Sequence, residues 1–500
     1  MTLSPEDHKE TDRLPRKILL VTGRLAEAQV RAFAGDADVL VADVDVASFI
    51  TPEMLLRASP QDYDLILIPG AITADFREAE RALGAQIRLG PKHAADLGIV
   101  LRHLAKEKIE LSRTVPACQL LDGKMREEAQ GEVERLELAA RAPLQIRGVK
   151  IGGSSRMKVL AEIVDATRCS PVALTKRIRY YEEQGADMID LGIPLDAHPN
   201  QVKAALQIAR KATNLPLSVD AVKPELILAG LEAGADLLLS LNAGNLSLVG
   251  EAVARAGTPA VIIPGPMSVL LEENLALAQE MGISVIADPV LEPPLQGLAL
   301  SLQRYLLFSQ DHPEIPLFFG AGNVTELMDA DTVGVNALLA ALGEETGASI
   351  LFTPEFSAKA AGSVHELAQA SRMMRLARQR GAPPKDLGLD LLIIKEKRRL
   401  LEEAMPETFM EAKGEHNYEP DRSGSFRIFL SSGSIVAQNG RMAVAGWNAR
   451  DILNTLIEKG LVSRLDHAGY LGRELVRAEI ALRLKRSYVQ DEPLWSSEKR

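Results

Sequence analysis

The sequence predicts an α/β protein with a closed (β/α)8 barrel at its centre, a doubly wound α/β domain before it and a small α+β domain after it. Three observations carry this reading. Between Val159 and Phe352, short apolar runs alternate with helical patterns eight times, the rhythm of parallel strands joined by helices. Several of these runs end in one carboxylate or amide: Met188-Ile189-Asp190, Leu217-Ser218-Val219-Asp220, Leu239-Ser240-Leu241-Asn242 and Val285-Ile286-Ala287-Asp288. Glycine stands where a helix must turn into the next strand, in Glu183-Gln184-Gly185-Ala186-Asp187 and in Glu232-Ala233-Gly234-Ala235-Asp236. Polar ends on several strands are where a barrel of this kind builds its active site. An open doubly wound sheet is the alternative, and the even spacing of the strands favours closure.

Taken in order, residues 1–16 read as a polar tail. Lys17–Gly23, Val39–Val44 and Tyr63–Gly70 are buried strands separated by helical patterns, so residues 1–145 form a parallel-sheet domain. The turn after the first strand, Thr22-Gly23-Arg24-Leu25, has neither GxGxxG nor GxxxxGK[ST] and therefore no nucleotide fingerprint. Lys92, His93 and Asp96 cluster at a probable helix start, where solvent-facing charges are a better reading than an anion contact. Residues 104–145 are charged and helical. The basic, glycine-rich segment Arg147–Arg156 is either a hairpin before the barrel or a plug in it. The barrel spans 146–385, with strands Val159–Val164, Met188–Leu191, Leu215–Val219, Leu237–Leu241, Ala260–Ile263, Ser284–Ala287, Leu317–Phe319 and Ser349–Phe352. Pro171–Gln184, Asn200–Thr213 and Pro224–Ala233 are among its helices. After Pro383-Pro384 comes the third domain, 386–500. It is expected to hold a strand at Asp390–Ile394, a charged helix at Lys395–Met405 and a polar loop containing His416-Asn417-Tyr418. Three short strands follow (Phe426–Leu430, Ser434–Gln438, Met442–Ala445), then helices Ala449–Lys459 and Tyr470–Leu484.

Composition bounds the function. Across 500 residues, 46% are hydrophobic and 25% charged, ordinary values for a chain with sizeable cores. A net charge of −11 argues against a nucleic-acid partner, which needs a basic footprint. No apolar run approaches the ~20 residues of a membrane span, and the polar N-terminus has no signal-peptide core. Cys118 and Cys169 lie far apart in sequence, which suits a reducing cytoplasm. The eight histidines are scattered without HxxxH or CxxC company, so no metal centre is expected.

The barrel endings resemble those of dihydropteroate synthases, members of the pterin-binding TIM-barrel superfamily. Gly185-Ala186-Asp187-Met188-Ile189-Asp190-Leu191-Gly192 is similar to the family's GADIIDIGG segment. Pro216-Leu217-Ser218-Val219-Asp220, with Gly234-Ala235-Asp236 and Asn242, is similar to its PISVDT…GADIINDV run, and Ala287-Asp288-Pro289 to its DPG turn. The resemblance covers about residues 150–380. It implies that Asp220, Asn242 and Asp288 hold a pterin ring, with Asp190 beside them, and that the protein condenses a dihydropterin diphosphate with an arylamine. Mg2+ would then bridge the diphosphate to a carboxylate. Three segments depart from the synthases. Their strand-one asparagine is missing, with Glu162 and Asp165 in its neighbourhood. Their Ser-Arg-Lys segment is replaced by Phe319-Gly320-Ala321-Gly322-Asn323, which resembles the turn of methyltetrahydrofolate–corrinoid methyltransferases, where the asparagine lies near pterin N5. Their Arg-x-His is replaced by Thr353–Lys359. Lys223 and Lys359 are the nearest substitutes for the catalytic cations. With its flanking domains, the first flavodoxin-like, the chain is similar to dihydropteroate-synthase-like proteins of tetrahydromethanopterin-linked one-carbon metabolism. Asp466-His467 falls in a C-terminal phrase of that group, either as a ligand or acid/base pair or as a helix start. The resemblance also implies a homodimer. Two alternatives stay open: methyl transfer with a corrinoid protein as partner, and a non-catalytic pterin-binding protein.

Overall fold

The computed structural model describes residues 17–495 apart from 93, 106–108, 266–269, 386, 396–404, 407, 413–418 and 441. The polar tail, His93, most of the expected helix Lys395–Met405 and the His416-Asn417-Tyr418 loop lie outside the described residues. The chain forms two compact units, Met1–Leu401 and Glu402–Arg500.

The first unit begins with strands β1 (Ile18–Thr22), β2 (Asp38–Val41), β3 (Leu65–Ile68) and β4 (Gln86–Leu89), all parallel, in the order β2-β1-β3-β4. Every residue of β3 is buried, as a strand covered by helices on both faces requires. Sequence patterning finds the first three strands and misses β4, whose Gln86 and Arg88 break up the apolar run. A helix, Ala117–Ala139, leads to an antiparallel hairpin of β5 (Leu144–Ile146) and β6 (Val149–Ile151). Its two-residue turn, Arg147-Gly148, has positive φ at both positions (45° and 88°), the twist that matches paired strands.

Eight parallel strands then close on themselves: β7 (Lys158–Ile163), β8 (Met188–Gly192), β9 (Leu217–Asp220), β10 (Leu237–Leu241), β11 (Ala260–Ile262), β12 (Val285–Ala287), β13 (Leu317–Phe319) and β14 (Ala348–Thr353), with β14 pairing back to β7. Gly185 and Gly234 carry positive φ (94° and 85°) between helix and strand, as their spacing predicts. Leu160, Met188, Leu237, Leu239, Val261, Ile286, Phe318 and Ile350 fill the barrel, and Ile146 and Ile151 of the hairpin pack among them. Segment 147–156 is therefore both hairpin and plug. The hairpin is also fixed from outside. Lys150 Nζ donates to the carbonyls of Glu137, Leu138 and Ala140 at 2.8–2.9 Å, at the helix end where carbonyls run out of intrahelical partners; the Glu137 oxygen also accepts from the Ala140 N–H.

Asp390–Ile394 is irregular, contrary to the expected strand. Leu392, Ile393 and Ile394 are exposed, and an apolar run forms a strand only where a neighbour takes its backbone hydrogen bonds. The second unit holds an antiparallel sheet of β15 (Arg427–Ser431), β16 (Ser434–Asn439) and β17 (Met442–Gly446) with helices Ala449–Glu458 and Leu465–Arg483. Ile428, Ile435, Ile452, Leu456, Leu471 and Leu475 make its core. No helix among the described residues is long and apolar enough to cross a membrane.

Candidate active site

Strand alternation decides what the barrel shows inside. Two residues beyond the interior Leu160, Met188 and Ile286 come Glu162, next to last in β7, Asp190, midway along β8, and Asp288, which directly follows β12. Register sets Glu162 beside Asp190, Asp190 beside Ser218, and Gly192 beside Asp220. As a result, one carboxylate oxygen from each of Glu162, Asp190 and Asp220 lies within 4.8 Å of the other two. Asp190 is 0% exposed. Its Oδ1 accepts from Ser218 Oγ at 2.5 Å, while its Oδ2 is sealed from solvent with no hydrogen-bond partner. Gly192 makes the space: a Cβ there would sit 2.5 Å from Glu162 Oε1.

Withdrawal from water raises all three carboxyls, and repulsion from neighbouring carboxylates adds to the rise at Glu162 and Asp190. Burial first, then the charges of Asp220, Asp165 and Glu326, pushes Glu162 up to about 7. Burial pushes Asp220 up to about 6. Burial, followed by Asp220 and Glu162, holds Asp190 well above the carboxylate range. Asp288 is also pushed up to about 6 by burial, although hydrogen bonds from Tyr305 and the Val290 N–H oppose the rise. Its Oδ1 accepts from Val290 N at 2.8 Å and lies 2.6 Å from Tyr305 Oη. The Tyr305 hydroxyl is also 2.8 Å from the Phe318 carbonyl, so its single proton serves one of the two acceptors at a time.

The structure thus brings Asp190 and Asp220 together and adds Glu162. Asn242 directly follows β10, half-buried, with its Oδ1 accepting from Gly244 N at 2.8 Å. Asn323 is exposed near the end of β13 and donates from Nδ2 to the Leu291 carbonyl at 2.8 Å. Lys223 is exposed just before the helix Pro224–Glu232. Lys359 pairs with the exposed Asp329 at 2.8 Å. Segment 353–359 is held by carboxylates instead. Glu355 accepts from Val364 N at 2.8 Å and Tyr180 Oη at 3.1 Å, and Glu326 accepts from the N–H groups of Phe356 and Ser357. Sequence reasoning leaves Glu162 and Ser218 out of the site. Glu162 carries the same signal as the chosen endings, a lone carboxylate in an apolar strand. A search for metal ligands confined to histidines and cysteines does not see a purely carboxylate cluster.

Two charged clusters outside the barrel site are paired among themselves. At the edge of the N-terminal sheet, Glu80 binds both Arg88 and Arg113 at 2.8 Å. In the second unit, His467 Nδ1 lies 2.9 Å from Asp421 Oδ2, while Asp466 pairs with Arg464. As to the two readings of Asp466-His467, the side chains do not pair with each other, and Asp466 stands in the first turn of the helix Leu465–Arg483, behind Arg464 as N-cap. Asp421 also accepts from the N–H groups of Ser463 and Arg464, and so ties down the start of the helix Leu465–Arg483.

Fold and site together define a (β/α)8-barrel protein with a cluster of one buried and two half-buried carboxylates toward the C-terminal ends of its strands. The chain belongs to the family of the uncharacterized protein MJ0107 of Methanocaldococcus jannaschii, to which it is 36% identical over 520 residues, covering 95% of this chain and 98% of that protein. Residues 415–491 match the family model described as PterinBD-DUF4346. A Ycf91-like protein of Nostoc sp. is 38% identical over 69 residues, 12% of this chain and 54% of its own length. Among solved structures, Yersinia pestis dihydropteroate synthase with a pterine-sulfa conjugate aligns at 20% identity and TM-score 0.38, covering 47% of this chain and 98% of that one. The dihydropteroate synthase of Thermus thermophilus aligns at 22% identity and TM-score 0.37, covering 46% and 96%.

Proposed function

We propose that the barrel binds a pterin at the C-terminal ends of its strands and that the protein is a dihydropteroate synthase-like transferase of pterin cofactor biosynthesis, folate or tetrahydromethanopterin, joining a dihydropterin diphosphate to an arylamine. The observation that carries this is the placing of two half-buried acceptor carboxylates, Asp220 and Asp288, both raised by partial withdrawal from water, at the ends of the third and sixth barrel strands. A pterin's pyrimidine edge presents an amino group and ring N–H donors in fixed geometry. Acceptors of this kind, partly withdrawn from water, call for such donors. Asn242, Asp190 and Asn323 complete the proposed contact set. The family model matched by residues 415–491, whose description names a pterin-binding domain, supports the same ligand.

In the proposed reaction the arylamine nitrogen attacks the pterin's exocyclic methylene. The carbon–oxygen bond to the diphosphate breaks, the diphosphate leaves with the electron pair, and the amine loses a proton. Lys223 and Lys359 are the proposed cations of this step, with exposed Lys223 the freer to move, since Lys359 already holds Asp329. Asn323, in the short helix Gly322–Thr325 that follows β13, favours the second reading, methyl transfer from a methylated tetrahydropterin to a corrinoid partner.

The deciding experiment incubates the purified chain with hydroxymethyl-dihydropterin diphosphate and candidate arylamines. A condensed product with released pyrophosphate is expected. Demethylation of a methylpterin by cob(I)alamin, with no condensation, would sink the synthase reading. Pterin binding with neither reaction would make the protein a carrier. Asp220→Ala and Asp288→Ala are each expected to weaken pterin binding by tenfold or more, about 1.4 kcal/mol; unchanged binding in both would overturn the site.

A further inference from the structure

We infer that Glu162, Asp190 and Asp220 form a binding site for one hard divalent cation of the Mg2+, Mn2+ and Ca2+ class, held by the barrel itself without any substrate phosphate. The ligand chemistry is all oxygen, the preference of Mg2+, Mn2+ and Ca2+ rather than of zinc or copper. The spacing fits a common centre. Opposite oxygens around Mg2+ at about 2.1 Å stand about 4.2 Å apart, and around a calcium-sized ion about 4.8 Å; one oxygen from each of the three carboxylates lies within 4.8 Å of the others, within the span of the larger ion.

A second observation is independent of that clustering. Asp190 is 0% exposed and its Oδ2 has no hydrogen-bond partner, whereas buried polar atoms are almost always paired. A cation fills that vacant valence. Asp190 Oδ1 is meanwhile fixed by the Ser218 hydroxyl, which orients the carboxylate as a supporting partner orients a metal ligand. Gly192 belongs to the same design, since any side chain there would displace the Glu162 carboxylate. The charges of Asp165 and Glu326 add to the negative field on Glu162. Neither Lys223, exposed, nor Lys359, engaged with Asp329, forms an ion pair with the three carboxylates. A carboxylate has two oxygens, so Asp220 can face the cation with one and a second ligand with the other.

The inference rests on the carboxylates alone and stands or falls apart from the pterin reading. Its test uses the full chain stripped with a chelator and titrated with Mn2+, free Mn2+ being read by its electron paramagnetic resonance. One Mn2+ per chain is expected, displaced by Mg2+. Glu162→Gln and Asp190→Asn, both isosteric, are each expected to weaken binding roughly tenfold or more, with folding verified by circular dichroism. No binding at millimolar Mn2+, or wild-type affinity in both folded variants, overturns the site. If one variant fails to fold, the other decides. Pterin binding is measured separately on the chelated protein. A chain that binds pterin but no Mn2+ leaves the proposed function standing and removes this site, and the reverse result does the opposite.

Discussion

Glu162, Asp190 and Asp220 work against the fold whenever they are ionised without a cation, because burial takes away the water that would solvate them. A carboxyl whose folded value lies above its unfolded one binds protons more tightly when folded. Its cost is therefore absent at low pH and grows as pH rises between the two values, for Glu162 from 4.5 to about 7. In chelator, wild-type stability should fall across that window. Glu162→Gln should flatten the fall and stabilise the protein by on the order of 1–3 kcal/mol at about pH 8, with little effect at about pH 4. Urea unfolding at a series of pH values measures this, and a variant less stable than wild type at the high end would refute it. The trade is familiar at functional sites, where groups placed for chemistry are kept at a cost to stability.

At the level of elements, the plug hairpin carries a share of the barrel's stability out of proportion to its length. Ile151 is 0% exposed and packs with Ile146 among interior residues from seven of the barrel strands. Ile151→Ala should cost about 2–5 kcal/mol, the loss of its burial plus a cavity at the closed end. Chemical denaturation checks the figure, and a cost below about 1 kcal/mol would show that the hairpin is peripheral. Elements of this kind are only partly legible in the sequence. The barrel strands announce themselves because buried parallel strands are uniformly apolar, with boundaries right to within about two residues. The strand β4 escapes because its polar residues interrupt that signal, and Asp390–Ile394 reads as a strand because apolar content alone says nothing about a partner. The site divides along the same line. Asp220 and Asp288 can be read as strand endings. The meeting of Glu162 with Asp190 depends on the register between β7 and β8, which no local pattern contains, and the pairing of His467 with Asp421 spans 46 residues.

On the scale of the molecule, the second unit has its own core, in which sheet and helices bury each other's apolar faces. A fragment of residues 402–500 should unfold cooperatively by itself, as a unit of this size with a closed core does. Thermal unfolding followed by circular dichroism tests it, and a fragment without a transition would mean that this core depends on the rest of the chain. Residues 415–491, the part matched by the family model, fall within it.

The three bonds of Lys150 have a chemical consequence. An ammonium has three protons directed tetrahedrally, and here each meets a different carbonyl. Arginine's donors lie in one plane and would miss that convergence. Acetylation would leave a single N–H and remove the charge that favours a helix C-terminus. At the joint between the connecting helix and the barrel, which Glu137 also ties through Ser155 and Lys158, Lys150 is therefore a position where neither the usual cationic substitute nor an acylated form would serve.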